Sequence, residues 1–177
     1  MSRPGTRPTV RLRTVRSATE LEQARTLFGE YGRSLGVDLG VEGFREEVRS
    51  LPGAYAPPRG ELLLAFVETT AVGCVAVRPL SRDVGEMKRL FVRPGSRGLG
   101  IGRALVRRIA QTAREAGFRS LRLDTLPEMT SAAALYRSLG FEEIPAYRVS
   151  PFPGTRYFEL DLVPPPRAAT NRRGTNK

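Results

Sequence analysis

The segment Gly85 to Gln111, GEMKRLFVRPGSRGLGIGRALVRRIAQ, joins strand-like residues to a helical pattern through a glycine loop without a gap. A strand that feeds a helix N-terminus through glycines is suited to binding phosphate. The unpaired N–H groups of the first helical turn point outward, the helix dipole adds positive potential, and Gly98, Gly100 and Gly102 let a phosphate approach backbone that a Cβ would shield. Arg97 and Arg103 add mobile positive charge. Spacing separates this loop from two common phosphate fingerprints. A dinucleotide site needs glycines at i, i+2 and i+5, whereas these stand at i, i+2 and i+4 with Arg103 in the last required place. A P-loop needs Gly-Lys-Ser/Thr, a tripeptide the chain lacks. Other chemistries are scarce. There is no histidine, hence no usual zinc site and no Ser/His or Cys/His pair, and the single cysteine, Cys74, sits in the apolar run GCVAV with no base spaced to activate it.

The elements that must position this loop are legible from periodicity. Residues 9 to 15 alternate polar and apolar as a strand does, and Ser17 with Glu20 forms a capping-box signal ahead of a helix running to about Leu35. Phe44, Val48 and Leu51 suggest a short second helix, ended by Pro52 and Gly53. Leu62 to Val67 and Val72 to Val77 read as an antiparallel hairpin, with Gly85 to Val92 as the third strand of a meander. From Leu105 to Ala116 apolar residues recur with helical spacing, and Gly117 closes that helix. Leu121 and Leu123 mark a strand, Ser131 to Leu139 a helix, and Phe141 to Ile144 and Tyr157 to Val163 the last two strands. The order β α α β β β α β α β β describes one α/β domain over residues 9–163, which begins antiparallel and acquires a parallel crossover. Residues 1–8 and 164–177 read as disordered tails, the second of them basic.

Composition narrows the class further. At 177 residues with 40% apolar and 27% charged residues, the chain is a globular protein of ordinary domain size. Its longest apolar run, Leu62 to Val67, falls far short of the roughly 20 residues a bilayer span needs, and no apolar segment follows the N-terminal arginines. A cytoplasmic protein with no membrane partner is expected. The net charge of +11 invites a nucleic-acid reading, but removing the six basic residues of the two tails leaves +5. Arginine supplies 27 of the 29 basic residues, Lys88 and Lys177 being the two lysines.

Arg97-Gly98-Leu99-Gly100-Ile101-Gly102 resembles the Arg/Gln-x-x-Gly-x-Gly/Ala motif of the GNAT superfamily of N-acetyltransferases, whose backbone amides hold the pyrophosphate of acetyl-coenzyme A. Leu90-Phe91-Val92 stands five residues ahead of Arg97, where that family pairs strand main chain with the acetyl-pantetheine arm. Ala132 through Phe141, AAALYRSLGF, resembles the family's second motif, a helix that carries a tyrosine and ends at Gly-Phe. Met129 replaces the asparagine that often stands seven residues before that tyrosine. The resemblance implies a mixed, mostly antiparallel sheet with helices on both faces. It also implies acetyl-CoA as donor substrate, no metal, and Leu90 to Val92 with Arg97, Gly98, Leu99, Gly100, Ile101, Gly102 and Arg103 as its binding residues.

Transfer to an amine needs a neutral amine, so a nearby base must take a proton. Glu86, six residues before Val92, has the offset some histone-type members use for a general-base glutamate. Asp124 is the second candidate, with Glu30 and Glu128 behind it. A strand N–H near Leu90 can stabilise the oxyanion if the strand bulges there, and Tyr136 resembles the tyrosine that protonates or hydrogen-bonds the departing sulfur. Residues 28–44 and 145–156 are the expected acceptor walls, with Tyr31, Phe44, Tyr147 and Phe152 in them. The acceptor expected is a small amine or amino acid, with a protein lysine or N-terminus as the alternative and a monomer or homodimer as the assembly. A nucleic-acid-binding module on an inert acetyltransferase scaffold is the competing class, against which the lack of an RNP, zinc-finger or helix-turn-helix pattern weighs.

Overall fold

In the computed structural model, residues 8–163 are described, so the two expected tails lie outside the described residues except for Pro8. The sheet has seven strands: β1 (Val10–Thr14), β2 (Glu61–Val67), β3 (Thr70–Pro79), β4 (Val84–Val92), β5 (Ser120–Thr125), β6 (Glu142–Ile144) and β7 (Arg156–Asp161). Their order in space is β1-β2-β3-β4-β5-β7-β6, and every neighbouring pair is antiparallel except β4 and β5. Helices α1 (Ala18–Ser34), α2 (Phe44–Arg49), α3 (Ile101–Glu115) and α4 (Thr130–Ser138) complete the expected order. Three 3-10 turns, Leu39–Glu42, Gly53–Tyr55 and Pro94–Ser96, stand where the sequence shows no periodicity.

Helices cover both faces, which explains why β2 reads as a continuous apolar run rather than an alternation. Leu63 and Ala65 pack towards α3, while Leu62, Leu64 and Phe66 join the core under α1 and α2. The entry to α1 is fixed by the capping box that the sequence predicts: Ser17 Oγ accepts from the Glu20 amide at 3.2 Å and Glu20 accepts from the Ser17 amide at 3.1 Å.

Two departures from regular pairing create the site. Strands β4 and β5 are in register only from Val84 to Glu86, against Ser120 to Arg122, and then part. On the other side of β4 the register jumps from Ala76↔Lys88 to Cys74↔Phe91, so Arg89 and Leu90 face the single residue Val75. The strand therefore does bulge beside Leu90. The bulge holds Arg89 at φ 61°, a conformation that costs a side-chain-bearing residue about 1–2 kcal/mol. The Arg89 guanidinium offsets that strain: its Nε and Nη2 donate to the two Glu47 oxygens at 2.9 and 2.6 Å, and it lies 4.8 Å from the Phe44 ring centre. Glu47 also accepts from Tyr55 Oη at 2.6 Å, which ties α2 and the turn after it to the bulge.

Replacing Glu47 by Gln leaves a buried guanidinium without its charge partner, and is expected to destabilise the fold by about 3 kcal/mol. A fall in the urea midpoint at unchanged slope checks this; an unaltered midpoint would show that the clamp does not support the bulge.

Candidate active site

The parting of β4 from β5 opens a cleft of about 630 Å³ between Leu90 to Val92, the glycine loop and the start of α4. Gly98 (φ 81°) and Gly100 (φ 76°) adopt left-handed backbone, and a Cβ built on either meets nothing within 4 Å, so the loop is shaped by conformation rather than by crowding. Gly100 is also the N-cap of α3 and offers no side chain to the helix's first N–H groups, which leaves them for a ligand. Such a cradle fits a diphosphate. The two arginines expected as mobile charge are tethered: Arg97 Nε donates to the Val92 carbonyl at 3.1 Å, and Arg103 Nη2 to Ser138 Oγ of α4 at 2.8 Å. Leu90, Phe91, Val92, Arg97, Gly98, Gly100, Ile101, Gly102 and Arg103 border the cleft, whereas Leu99 is half exposed and stands outside it.

A smaller cavity of about 40 Å³ adjoins the cleft, sharing Tyr31, Leu35, Leu90 and Met129 with it. It holds only a few water-sized groups. Its floor is built by Lys88 of β4 and Asp124 of β5, its far wall by Tyr136 of α4, and its roof by the loop carrying Ser150, Phe152 and Thr155. Lys88 Nζ donates to Asp124 Oδ1 at 3.1 Å, and Arg148 donates to Oδ2. Burial pushes the Lys88 ammonium below its ordinary range, against the pull of Asp124 and Glu86. Burial alone would raise the Asp124 carboxyl, but Lys88 and Arg148 outweigh it and hold the group below the usual carboxylate range. Tyr136 is buried against Phe141 and Phe158, which drives its phenol well above the ordinary value, and its hydroxyl has no hydrogen-bond partner among the described residues.

Glu86 lies behind this cavity rather than on its surface. It is fully buried, accepting from Arg78 Nε at 2.9 Å and from Tyr147 Oη at 3.0 Å, with Lys88 Nζ 3.9 Å away. Of the four aromatics expected in the acceptor walls, Tyr31 and Phe152 line the cavity. Phe44 is instead core beneath Arg89, and Tyr147 is held between Glu86 and the Tyr157 ring, so neither borders this cavity. Glu30 is paired with Arg93, and Glu128 borders the cleft. Cys74 is buried, its thiol raised by desolvation and directed at the Arg89 carbonyl, which fits a core residue. Lys88 and Thr125 are cavity residues that sequence reasoning missed. The signal for Lys88 was available, since a lone lysine inside an arginine-rich domain marks a position where a tunable amine differs from a permanent cation.

The family model for the acetyltransferase (GNAT) family matches residues 24–141. An uncharacterized N-acetyltransferase from Schizosaccharomyces pombe is 37% identical over 155 residues, spanning 86% of this chain and 95% of that one. A GNAT-family acetyltransferase structure from Staphylococcus aureus superposes with a TM-score of 0.74 at 20% identity, covering 88% of this chain and all of its own. An acetyltransferase structure from Salmonella typhimurium, solved with its cofactor acetyl-CoA, superposes at a TM-score of 0.63 and 18% identity over 87% of this chain and 94% of its own. Among the described residues no helix is long and apolar enough to cross a membrane.

The site's carboxylates have a consequence for stability. Asp124 and Glu47 both titrate below their ordinary range, Glu47 because Arg89 outweighs its burial. Their ionised forms therefore stabilise the fold above the unfolded-state value of about 4, and that contribution is lost as pH falls through the lower folded values. Urea midpoints followed from about pH 6 to about pH 2 are expected to decline most below about pH 4, less steeply in Asp124→Asn. A decline of the same steepness in that variant would remove Asp124 from the account.

Proposed function

The chain belongs to the acetyltransferase (GNAT) family and is an acyltransferase, and from that premise we propose that it moves an acetyl group from acetyl-CoA directly to the nitrogen of a small primary amine or amino acid. The observation that carries this reading is the join of the two cavities at Leu90: the glycine cradle opens into the cleft, and the cleft meets the small polar cavity where Asp124 and Tyr136 stand. The inner cavity of about 40 Å³ suits an acceptor nitrogen carried on a small or slender group.

Bound acetyl-CoA supplies a thioester whose carbonyl carbon the amine attacks and whose carbon–sulfur bond then breaks, releasing the sulfur as a thiolate. The glycine loop and the α3 N-terminus hold the diphosphate, and the bulge at Arg89 and Leu90 offers main-chain N–H to the oxyanion. The sequence points to Glu86 as base, but its carboxylate is enclosed, so in this reading the proton passes to Asp124, which borders the cavity. A carboxylate of lowered basicity does this best after attack, when the nitrogen has become cationic and acidic. Glu86 then acts by fixing Arg78 and Tyr147. Tyr136, whose phenol holds its proton tightly, stabilises the departing thiolate by a hydrogen bond rather than by giving the proton up. The thiolate is then protonated from solvent.

Gly100→Asp adds a side chain and a negative charge at the cradle and is expected to abolish acetyl-CoA binding, read by calorimetry, while the circular dichroism stays that of the parent. If the folded variant binds like the parent, the cleft is not the donor site. Asp124→Asn should lower turnover about 100-fold at neutral pH with acetyl-CoA affinity retained, and Glu86→Gln should act mainly on stability. The reverse ranking would return the base role to Glu86. Tyr136→Phe should slow the single-turnover step about tenfold or more; an unchanged step would remove it from the mechanism.

A further inference from the structure

Strand β5 alternates regularly until its last residue. Leu121, Leu123 and Thr125 are buried on one face, and Arg122 and Asp124 occupy the other, so the period of the strand calls for an apolar side chain where Thr125 stands. Thr125 is 6% exposed, and its Oγ1 makes no hydrogen bond among the described residues. An unpaired buried hydroxyl is destabilising, and a valine of the same shape avoids that penalty. Two neighbouring hydroxyls are satisfied, since Ser150 Oγ and Thr155 Oγ1 bond each other at 2.8 Å and Thr155 Oγ1 also donates to the Phe152 carbonyl, whereas Tyr136 Oη on the same cavity shares the unpaired state of Thr125.

The position of the residue indicates what it serves, and because Oγ1 exposes less than 1 Å² as it stands, a rotation about χ1 is needed to present it to a ligand. Thr125 borders the inner cavity but not the cleft that carries the glycine loop, and it lies beyond the junction at Leu90 and Met129 that the two spaces share. It lines the same inner cavity as Asp124, which receives the amine's proton in the reading above, and on that reading it stands on the acceptor side of the reacting carbon. We propose that Thr125 is an acceptor-binding residue whose Oγ1 accepts a hydrogen bond from the N–H of a neutral primary amine, leaving the nitrogen lone pair free for attack. This rests on the acetyl-transfer reading above. A hydroxyl suits the task better than a carboxylate does. A carboxylate against the amine favours the ammonium form, which has no lone pair, whereas a neutral hydroxyl orients the nitrogen without holding the extra proton on it. Asp124, on the opposite face of β5 and engaged by Lys88 and Arg148, remains available to take the proton once the C–N bond forms.

Two variants test the assignment. Thr125→Val should melt at the same temperature as the parent or higher, bind acetyl-CoA with unchanged affinity, and lose about tenfold or more in kcat/KM for the acceptor, while Thr125→Ser should recover most of that loss. The acceptor probe is hydroxylamine, which is neutral at neutral pH and small enough for the cavity, read as acetohydroxamate and supported by a panel of primary amines. Retention of kcat/KM in Thr125→Val would overturn the proposal, as would a loss of melting temperature parallel to the loss of activity, which marks a structural role. A parent that binds acetyl-CoA yet acetylates neither hydroxylamine nor any amine of the panel would also overturn it. Failure of the parent to bind acetyl-CoA would bring down the acetyl-transfer reading itself, and this proposal with it.

Discussion

Strands β4 and β5 share a ladder over three residue pairs and then separate, and the space this leaves is the one that both cavities occupy. Separation of parallel neighbours is not free, because main-chain N–H and C=O groups that leave a ladder need other partners or a ligand. Two side-chain devices support the gap. On the β3 side, the bulge turns Arg89 to φ 61° and Glu47 clamps its guanidinium from α2. Across the gap, Lys88 of β4 reaches Asp124 of β5 at 3.1 Å, so an ionic strut stands where the next rungs of the ladder would be. Below the strut, Glu86, Arg78 and Tyr147 form the hydrogen-bonded base on which it rests. Buried ion pairs contribute little net stability compared with apolar packing. Their presence here is better understood as a way to hold two strands apart at a fixed distance.

The same geometry explains what the sequence could and could not reveal. Helix ends were legible because their chemistry is local: Ser17 and Glu20 cap α1 as their spacing requires, and Gly117 and Gly140 adopt the positive φ of glycine C-caps after α3 and α4. The glycine loop was legible for the same reason, since its strand, turn and helix are consecutive. Glu86 was harder to judge. Its offset from Val92 is a local fact, but its exposure is decided by Arg78 on β3 and by Tyr147 some sixty residues away, neither of which spacing along one strand can reveal. The three 3-10 turns have too few residues to show a period, and Phe44 reads as a wall residue because nothing local indicates that Arg89 lies over its ring.

Several of the domain's arginines are engaged within it. Arg122 pairs with Glu159, Arg93 with Glu30, Arg78 with Glu86, and both Arg137 and Arg156 converge on Glu143. A guanidinium already engaged by a carboxylate offers less to a polyanion than its formal charge suggests, since binding a phosphate there must compete with the existing pair. The two arginines beside the glycine loop follow the same logic, tied to a carbonyl and a hydroxyl, so the potential at the cradle comes from fixed groups and the helix terminus more than from freely moving cations.

The two halves of the site differ in how they are assembled. The donor half comes largely from one continuous stretch, β4 through the first turn of α3, whose conformation is set by left-handed glycines and one tether from Arg97 to Val92. The inner cavity adds to Met87 to Leu90 of β4 and Tyr136 of α4 three further segments distant in sequence: Tyr31, Leu35 and Leu39 from α1 and the turn after it, residues between Leu123 and Met129 from β5 and beyond, and the Ser150 to Thr155 loop. That loop is hydrogen-bonded to itself through Ser150, Phe152 and Thr155. Phe152 packs against the core under α1, and this apolar contact helps seat the loop over the cavity. A roof held internally by polar bonds and externally by packing can change its lining without disturbing the strut beneath it. On the function proposed, substitutions in this loop and in α1 would alter which amine is accepted, while the cradle that holds the coenzyme, built from a different stretch of chain, stays as it is.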